Sequence, residues 1–367
     1  MGPVLPEYDG ACISRVVPAL LGERSESWLP VTLRHHPVVL LVLDGLGWRA
    51  FEEHRTQMPE LDAFEGGPIT TVAPSTTAAA LTSLATGLAP SEHGLVGFRM
   101  RVDDGVLNVL SWQYSGTGRP PDPFTVQRHV AFCRREVPVV TQSEFRNSAF
   151  TDAQLRGARF VGWSTPAVLV ERCRRLIASG ERLVQAYYPG VDKVAHEYGL
   201  RDDYYRAELR AADALVGALR DALPPDVVVL VTSDHGQVHV EPDRWIEVAD
   251  LDPMIAMQAG DARFRYLYAR PGAATELAAE ARARFDTAAW VMTRAELIDR
   301  GWLGPPPVGS IGRRLGDVTL AARTDVAFVD PALPNERKLL SLHGSLTAEE
   351  MLVPLLAAPG RSLAAPG

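Results

Sequence analysis

Short apolar runs without polar alternation constrain the fold of this chain more than any other feature. Residues 38–43 (VVLLVL) form such a run, residues 226–232 (DVVVLVT) contain a second, and residues 182–188 are a third candidate. Runs of this length are typical of strands that are covered on both faces, as in a parallel sheet. Amphipathic helical stretches at residues 164–179 and 202–223 alternate with them. The pattern predicts a doubly wound, mostly parallel α/β sheet flanked by helices.

Two stretches interrupt this alternation. Residues 98–112 alternate around an Asp-Asp-Gly turn, which predicts a β-hairpin. Residues 241–327 carry mixed helix and strand signals. We therefore predict an N-terminal extension over 1–36, a catalytic domain over 37–240 and 328–360, and an inserted α+β subdomain over 241–327.

Charge and composition exclude several classes of protein. The net charge of −8 argues against binding a nucleic-acid scaffold through a basic surface. The longest apolar run has six residues, far fewer than the roughly 20 needed to cross a bilayer. The N-terminus has no visible secretory signal, and the three widely spaced cysteines suit a reducing compartment. We expect a cytoplasmic protein without a membrane partner, and its oligomeric state stays open.

Three carboxylates follow or lie near the ends of predicted strands. Asp44 comes directly after residues 38–43, Asp192 follows the strand candidate at 182–188, and Asp234 follows 226–232. In open α/β sheets, ligands bind beyond the carboxyl ends of the strands. A lone aspartate at such a position is more commonly a turn or capping residue. Three of them at one edge indicate a cation site instead.

Histidines accompany these carboxylates. His196 follows Asp192 by four residues, so that both lie on one helix face and can chelate one cation. His235 directly follows Asp234, and His343 lies in a turn before residues 347–356, which are predicted to form an amphipathic helix. Mixed aspartate and histidine ligation suits zinc better than magnesium or calcium. Six ligands in two groups of three leave the open coordination position that catalysis needs.

A threonine is the candidate nucleophile. Residues 74–87 (PSTTAAALTSLATG) have the polar start, apolar body and final glycine of a helix. Thr77 then lies in the first turn, where free backbone N–H groups favour phosphate. A threonine hydroxyl needs activation, for example by a metal, to act as a nucleophile. Ser75 and Thr76 compete with it for the ordinary role of helix cap.

Together these motifs resemble the alkaline phosphatase superfamily, and most closely its type I phosphodiesterase/nucleotide pyrophosphatase branch. The resemblance rests on LDG after the first strand, PSTTAAALTSLATGLAPSEHGLVGFR, GVDKVAHEYG, SDHG and HGSLTAEEMLVPLL, in that order. It implies that the nucleophile stands nine residues before the Thr-Gly pair, which selects Thr77. It also implies two zinc ions per chain, with Mn²⁺ or another divalent metal as alternatives. One ion would be held by Asp44, Thr77, Asp234 and His235, and the other by Asp192, His196 and His343.

One position departs from that branch. Its members usually carry an asparagine three residues after the nucleophile, in contact with a phosphate oxygen, and here that position is Ala80. Phosphate recognition must then come from elsewhere. Arg99, Asn108 and Tyr114, on or near the predicted hairpin, are candidate substrate-binding residues, although an exposed hairpin face explains them equally well.

The resemblance implies a two-zinc phosphoester hydrolase, specifically a phosphodiesterase or nucleotide pyrophosphatase that acts through a phospho-threonine intermediate. A phosphomonoesterase or phosphonate hydrolase on the same metal site is the alternative, and an inactive metal- or phosphate-binding homologue is the alternative of another class. The expected partner is a small phosphodiester, nucleotide or phosphonate substrate. Residues 98–160 and 241–327 are expected to shape its pocket.

Overall fold

A computed structural model describes residues 2–24, 26–30, 33 and 36–362. Within them the strands are β1 (Val38–Leu43), β2 (Glu65–Thr70), β3 (Arg99–Val102), β4 (Gly105–Asn108), β5 (Gln113–Tyr114), β6 (Pro138–Gln142), β7 (Arg159–Trp163), β8 (Leu183–Tyr188), β9 (Val228–Thr232), β10 (Val238–His239), β11 (Trp245–Ile246), β12 (Ile255–Asp261), β13 (Phe264–Ala269), β14 (Ala289–Thr293), β15 (Val318–Ala322), β16 (Ala327–Phe328), β17 (Ser341–Leu342) and β18 (Leu352–Pro359). The α-helices are α1 (Ile13–Leu20), α2 (Trp48–Glu53), α3 (Pro59–Asp62), α4 (Thr77–Thr86), α5 (Pro90–His93), α6 (Pro123–Val126), α7 (Ala149–Gln154), α8 (Pro166–Ala178), α9 (Gly190–Tyr198), α10 (Asp203–Ala222), α11 (Ala274–Phe285), α12 (Arg294–Asp299) and α13 (Ala348–Met351).

A seven-stranded sheet forms the centre of the molecule, in the order β2-β18-β9-β1-β8-β6-β7. Strand β1 runs parallel to both of its neighbours, with Leu43 opposite Tyr188 and Val42 opposite Thr232. Only β18 runs against the others, since it is antiparallel to both β9 and β2. The carboxyl ends of β1, β8 and β9 therefore meet at one edge, and the predicted mostly parallel α/β sheet is confirmed.

Both faces of the central sheet are covered. All six residues of β1 are buried, and successive side chains point to opposite faces. Val39 and Leu41 lie in one core cluster with residues of α8, α9 and α10, whereas Leu40 and Val42 lie in another with residues of α1 and α4. A strand that is enclosed in this way has no need for polar residues, which explains its unbroken apolar run.

The N-terminal segment contributes to this core. Ile13, Val16 and Val17 of α1 are fully buried in the cluster that α4 shares. The backbone of Ala11 also accepts a hydrogen bond of 2.8 Å from Thr70 N–H at the end of β2. Residues 1–36, predicted as an extension and in part outside the described residues, thus include a helix that packs on the catalytic core.

The prediction of a helix over residues 347–356 is wrong. Helix α13 ends at Met351, and β18 continues from Leu352 into the sheet between β2 and β9. Six of the eight β18 residues are buried, so this apolar run belongs to a strand enclosed on both faces. Periodicity alone does not separate a short apolar strand from a buried helix, and pairing with two neighbouring strands satisfies this backbone.

Four smaller sheets lie outside the central one in the described part of the chain, and two of them, β10-β17 and β11-β16, are pairs of two-residue strands. The hairpin predicted over 98–112 is confirmed as β3 and β4, to which β5 adds a third short strand. An antiparallel sheet in the order β12-β13-β15-β14 occupies residues 255–322, with α11 and α12 along the same stretch. The division of the chain into a catalytic domain and an inserted subdomain stays a prediction. None of the helices in the described part of the chain is long and apolar enough to cross a bilayer.

Candidate metal centre

The three predicted carboxylates lie at the carboxyl edge of the central sheet. Asp44 directly follows β1, and its backbone N–H donates to Tyr188 O of β8 at 3.0 Å. Asp234 lies two residues beyond β9, and Asp192 lies in the first turn of α9. Asp44 is only 2% exposed and Asp234 is fully buried. Parallel strands with aligned ends thus bring together residues that are far apart in sequence.

All three predicted histidines are oriented by backbone carbonyls. The Nδ1 atom of His235 lies 3.1 Å from Gly236 O. That of His196 lies 2.6 Å from Ser341 O, and that of His343 lies 3.0 Å from Ser75 O. Because a carbonyl oxygen can only accept, each Nδ1 carries a proton, and Nε2 is the ring atom that faces the other ligands. This arrangement is typical of metal-bound histidines, whose second nitrogen donates to a carbonyl or carboxylate.

The distances between ligand atoms match tetrahedral coordination. With bonds of about 2.1 Å to zinc, ligand atoms stand about 3.4 Å apart. His235 Nε2 lies 3.6 Å from Asp44 Oδ1, 3.5 Å from Asp234 Oδ2 and 3.1 Å from Thr77 Oγ1. His196 Nε2 lies 3.4 Å and His343 Nε2 3.9 Å from Asp192 Oδ1. All seven predicted ligands thus lie in two adjoining sets.

Two carboxylate oxygens of the first set have no hydrogen-bond partner although they are buried, namely Asp44 Oδ1 and Asp234 Oδ2. Burying an unpaired charge is costly. Burial, followed by the charges of Asp234 and Asp192, raises the pKa of Asp44 well above its usual range. No lysine or arginine among the described residues forms an ion pair with these carboxylates. The residues present therefore fit a cation.

Asp192 joins the two sets. Its carboxylate belongs to two groups of possible metal ligands, one with His196 and His343 and the other with Asp44 and His235. Within each group all ligand atoms lie within 4.8 Å of one another. The family resemblance assigned it to the His196 set alone. Its Oδ1 accepts a hydrogen bond of 2.9 Å from Gln237 Nε2, which fixes the carboxylate between the two sets.

The imidazoles of His235 and His343 stack on each other with ring centroids 3.7 Å apart. Burial, with the neighbouring His235 and His196 rings, lowers the pKa of His343 well below its usual value. His343 is therefore neutral at physiological pH and able to act as a ligand.

Thr77 is the first residue of α4, and Thr76 is its N-cap. The Thr76 side chain makes no capping hydrogen bond. The first backbone hydrogen bond of the helix is donated by Ala80 N–H to Thr76 O, at 2.9 Å. The N–H groups of the preceding turn are thus left for an anion. This turn begins beside the metal ligands, because Thr77 Oγ1 faces His235 Nε2.

The hydroxyl of Ser75, which competes with Thr77 for the role of helix cap, makes hydrogen bonds to another loop. Ser75 Oγ donates to Ser345 O at 2.6 Å and accepts from Gly344 N–H at 3.2 Å. Ser75 N–H donates to Gly344 O at 3.1 Å, and Ser75 O accepts from His343 Nδ1. Four hydrogen bonds thus join the loop before Thr77 to the loop that carries His343. We name this set of contacts the Ser75 clamp.

A cavity of about 160 Å³ opens beside Thr77. Its walls come from α4, β6, β8, α7 and the loops next to them. They are formed by Thr77, Leu81, Leu110, Val139, Thr141, Phe145, Ser148, Phe150, Thr151, Gln154, Leu155, Gln185 and Tyr187. Tyr187 connects the cavity to the metal ligands, because its hydroxyl donates to Asp44 Oδ2.

The family model for type I phosphodiesterases/nucleotide pyrophosphatases matches residues 38–346. The chain belongs to this family. It is therefore a phosphoric ester hydrolase of a metal-dependent family, and the resemblance seen in the sequence is confirmed. No curated protein sequence matches the chain.

Solved structures share the fold of this family member. Murine ectonucleotide pyrophosphatase/phosphodiesterase 5 has 16% identity and a TM-score of 0.68, with 87% of each chain covered. Its human counterpart has 15% identity and a TM-score of 0.67, with coverage of 89% of this chain and 90% of that one. An inactive threonine-to-alanine variant of the murine protein in complex with AMP has 16% identity and a TM-score of 0.65, with 88% of each chain covered.

None of the three candidate substrate-binding residues lines the cavity. Arg99 is buried in an ion pair with Asp330, Asn108 Oδ1 accepts from Ser111 N–H at 3.1 Å, and the Tyr114 hydroxyl donates to Asp104 at 2.6 Å. Each of them holds the hairpin or its surroundings in place, and the structure does not bring them to Thr77. Ala80 is fully buried in the apolar core, so an asparagine in this orientation would lie among apolar side chains.

Sequence reasoning missed several residues of the site. Tyr187 positions Asp44, and Gln237 positions Asp192. The backbone carbonyl of Ser75 positions His343. A tyrosine at the end of a buried strand is only a weak sequence signal for a role in positioning a ligand. A backbone carbonyl leaves no signal in the sequence. Of the two segments expected to shape the pocket, only 98–160 contributes to the cavity, through Leu110 and residues 139–155. None of residues 241–327 lines it.

Proposed function

We propose that this family member hydrolyses phosphodiesters, including nucleotide derivatives, with Thr77 as the nucleophile and two zinc ions per chain. One observation carries the proposal: His235 Nε2 stands within 3.6 Å of two orphaned carboxylate oxygens and the Thr77 hydroxyl. A second set around Asp192 adjoins the first. A hydroxyl beside two candidate cation sites is the arrangement that two-metal phosphoryl transfer uses, and it supports the proposal.

The donor types and their spacing support zinc, although Mn²⁺ or another divalent metal could occupy the same ligands. Asp44, Thr77, Asp234 and His235 would hold one ion, and Asp192, His196 and His343 would hold the other. When bound, the two ions would lower the pKa of the Thr77 hydroxyl and neutralise charge on the phosphoryl oxygens.

The chain's own residues then perform the transfer in two steps. Thr77 releases its proton to solvent, its Oγ1 forms a bond to phosphorus, and the bond to the leaving oxygen breaks with its electron pair. The unpaired N–H groups at the start of α4 donate to the transferred phosphoryl group. Water next displaces Thr77, which regains a proton and releases the phosphomonoester product.

The surroundings of Thr77 favour diesters over monoesters. A monoester dianion carries one more negative charge than a diester, and enzymes specialised for it need additional cationic groups. No lysine or arginine lines the cavity beside Thr77. The AMP found in the murine relative supports nucleotide derivatives as one class of substrate.

A substrate panel on zinc-loaded protein tests this proposal. The panel comprises p-nitrophenyl phosphate, bis-p-nitrophenyl phosphate, thymidine 5′-p-nitrophenyl phosphate and phosphonoacetate. We expect kcat/KM to be highest for the diesters, with a monoester preference beyond tenfold promoting the phosphatase or phosphonate-hydrolase alternative. Absence of turnover on every substrate would promote the inactive homologue, which the complete ligand set disfavours.

Variants of two adjacent threonines identify the nucleophile. Thr77→Ala should lower kcat by about 10³ or more and leave the protein folded, because the nucleophile is lost while the carboxylate and histidine ligands remain. Thr77→Ser should retain part of the activity. Thr76→Ala is the matched control and should remain active, so loss of turnover in Thr76→Ala but not in Thr77→Ala would contradict the assignment.

A further inference from the structure

We propose that a group of arginines beside the β3–β4 hairpin binds a phosphoryl dianion, either free inorganic phosphate or the phosphate group of a small monoester. The group comprises Arg101, Arg128, Arg313 and Arg314, and we name it the arginine cluster. It shares no residue with the metal ligands or with the cavity beside Thr77. The proposal therefore does not depend on the function proposed above.

The arginine cluster lines a cavity of about 200 Å³. Three segments that are far apart in sequence form its walls, namely the hairpin, residues 121–128 and residues 310–314. One water molecule takes about 30 Å³ in the liquid, so the cavity has room for a tetrahedral four-oxygen anion and some water. Asp103 is the one carboxylate in these walls, against four guanidinium groups.

The positive charges of the cluster have no direct counter-charge. In the part of the chain that the structure describes, none of the four arginines forms an ion pair with a carboxylate. Arg101 Nε donates to the backbone oxygen of Asp103 at 3.1 Å, and Arg128 Nε donates to that of Thr125 at 3.4 Å. Backbone oxygens carry no net charge. Such a local excess of positive charge, in a protein of net charge −8, indicates a site for an anion.

Arg314 is the buried member of the cluster. It is 7% exposed, and its Nη1 donates to Gly94 O at 2.5 Å and to Val126 O at 3.0 Å. Both bonds use Nη1, which leaves Nε and Nη2 for another acceptor. Burial, followed by the charge of Arg128, lowers the pKa of Arg314 to about 10. A bound anion would offset both the burial of this charge and its repulsion by Arg128.

The geometry of the cluster favours phosphate over a carboxylate. A guanidinium group recognises phosphate through paired N–H donors. Arg101 lines the cavity from β3, Arg128 from the segment after α6, and Arg313 from residues 310–314. A tetrahedral dianion has oxygens that point in several directions, so it can accept from several segments at once. A carboxylate presents only two oxygens in one plane.

A second cavity of about 270 Å³ adjoins the first, since Arg128 and Arg314 line both. Its walls also contain Ile311 and Glu92. The carboxylate of Glu92 accepts a hydrogen bond of 2.9 Å from Ala89 N–H. This less cationic space could receive the organic part of a monoester. The two sources of the phosphoryl group are therefore the free ion and a small ester.

Modification of individual arginines by phenylglyoxal tests the site on zinc-loaded protein. Mass spectrometry of peptides gives a rate for each arginine, so phosphate bound at the metal centre does not affect the result. Inorganic phosphate should slow modification of Arg128 and Arg313 at least about fivefold at saturation. The exposed Arg172 of α8 is the internal control and should react equally fast with and without phosphate. Sodium chloride at the same ionic strength controls for screening. Unchanged rates for Arg128 and Arg313 in phosphate would overturn the proposal.

Methylphosphonate and acetate identify the ligand class in the same assay. In alkaline buffer methylphosphonate carries the phosphoryl dianion of a monoester but has no ester bond to hydrolyse. Protection by phosphate and methylphosphonate alike would support a site that accepts esters, and protection by phosphate alone would support a site for the free ion. Protection by acetate that equals protection by phosphate would refute recognition of a phosphoryl group.

Two variants separate binding from a structural role. Arg313→Gln should raise the phosphate concentration for half-protection of Arg128 about tenfold, because a charge-assisted contact is lost, whereas Arg172→Gln should leave it unchanged. Arg128→Gln should not lower the melting temperature in phosphate-free buffer, because it removes repulsion of Arg314. Unchanged protection in Arg313→Gln, together with a lower melting temperature in Arg128→Gln, would show that these arginines are structural and would refute the site.

Discussion

Replacing Asp44 with asparagine should stabilise the metal-free protein and reduce the stabilisation that bound zinc provides. Asp44 is almost fully buried, its Oδ1 lacks a partner, and Asp234 and Asp192 add like charges. Its pKa in the folded protein is therefore raised above the ordinary value of about 3.9. A raised carboxylate pKa destabilises the folded state as pH rises above that ordinary value, up to the folded pKa.

The magnitude follows from this linkage. Each pH unit above the ordinary pKa costs about 1.36 kcal/mol, so the largest cost at pH 7.5 is about 5 kcal/mol and at pH 5.0 about 1.5 kcal/mol. Asparagine keeps an acceptor for the Tyr187 hydroxyl and removes the charge. In EDTA, Asp44→Asn should raise the free energy of unfolding, by at most about 5 kcal/mol at pH 7.5 and at most about 1.5 kcal/mol at pH 5.0.

Zinc should narrow the difference in stability between the two proteins. Wild type gains stability from bound metal, and a loss of affinity of about 100-fold in Asp44→Asn would remove about 2.7 kcal/mol of that gain. Urea denaturation with EDTA and with zinc measures both quantities. Asp330→Asn is the control, because Asp330 pairs with Arg99 and Arg265 and its loss should cost about 3 kcal/mol in both states. A destabilised Asp44→Asn protein in EDTA, or equal zinc stabilisation of both proteins, would refute the reasoning.

Three further predictions concern the last ligand, a buried ion pair and the cysteines. His343→Ala should lower bound zinc from two ions per chain to about one, because the Asp192/His196 set loses its third ligand; metal analysis that still finds two would contradict this. Glu350→Ala should cost about 3–5 kcal/mol in urea denaturation, because it leaves the fully buried Arg263 unpaired, and a loss below 1 kcal/mol would count against it. Iodoacetamide at pH 8 should modify Cys133 alone by mass spectrometry, since Cys12 and Cys173 are buried and burial raises the pKa of Cys173 to about 12; rapid labelling of Cys173 would show that its helix opens.

The central strands and the ligand set could be predicted from sequence because both depend on local signals. An apolar run such as residues 38–43 has no stable place outside a covered sheet, and the residues that follow such strands meet at one edge. The helix start at Thr77 was equally readable, since it depends on a polar turn followed by helix-forming residues. These features need no knowledge of distant contacts.

What could not be predicted depends on partners that are distant in the chain. Strand β18 carries the same apolar signal as a short buried helix, and only its pairing with β2 and β9 distinguishes the two. The carbonyl acceptors that orient the histidines have no side-chain signature. Gln185 is visible as the one amide in an otherwise apolar and aromatic strand, but its unpaired oxygen becomes evident only when the cavity walls surround it.

The Ser75 clamp makes the site depend on a loop that is synthesised long after the strands that carry the first ligands. During translation the N-terminal parts of a chain emerge and begin to fold first, so β1, β8 and β9 can pair before residue 343 has been made. Until then Asp192 and His196 lack their third ligand, and the loop before Thr77 lacks the Gly344 and Ser345 contacts that hold it. A chain that stops before this loop should therefore be inactive, and hydrolytic activity should mark molecules whose synthesis has passed residue 345.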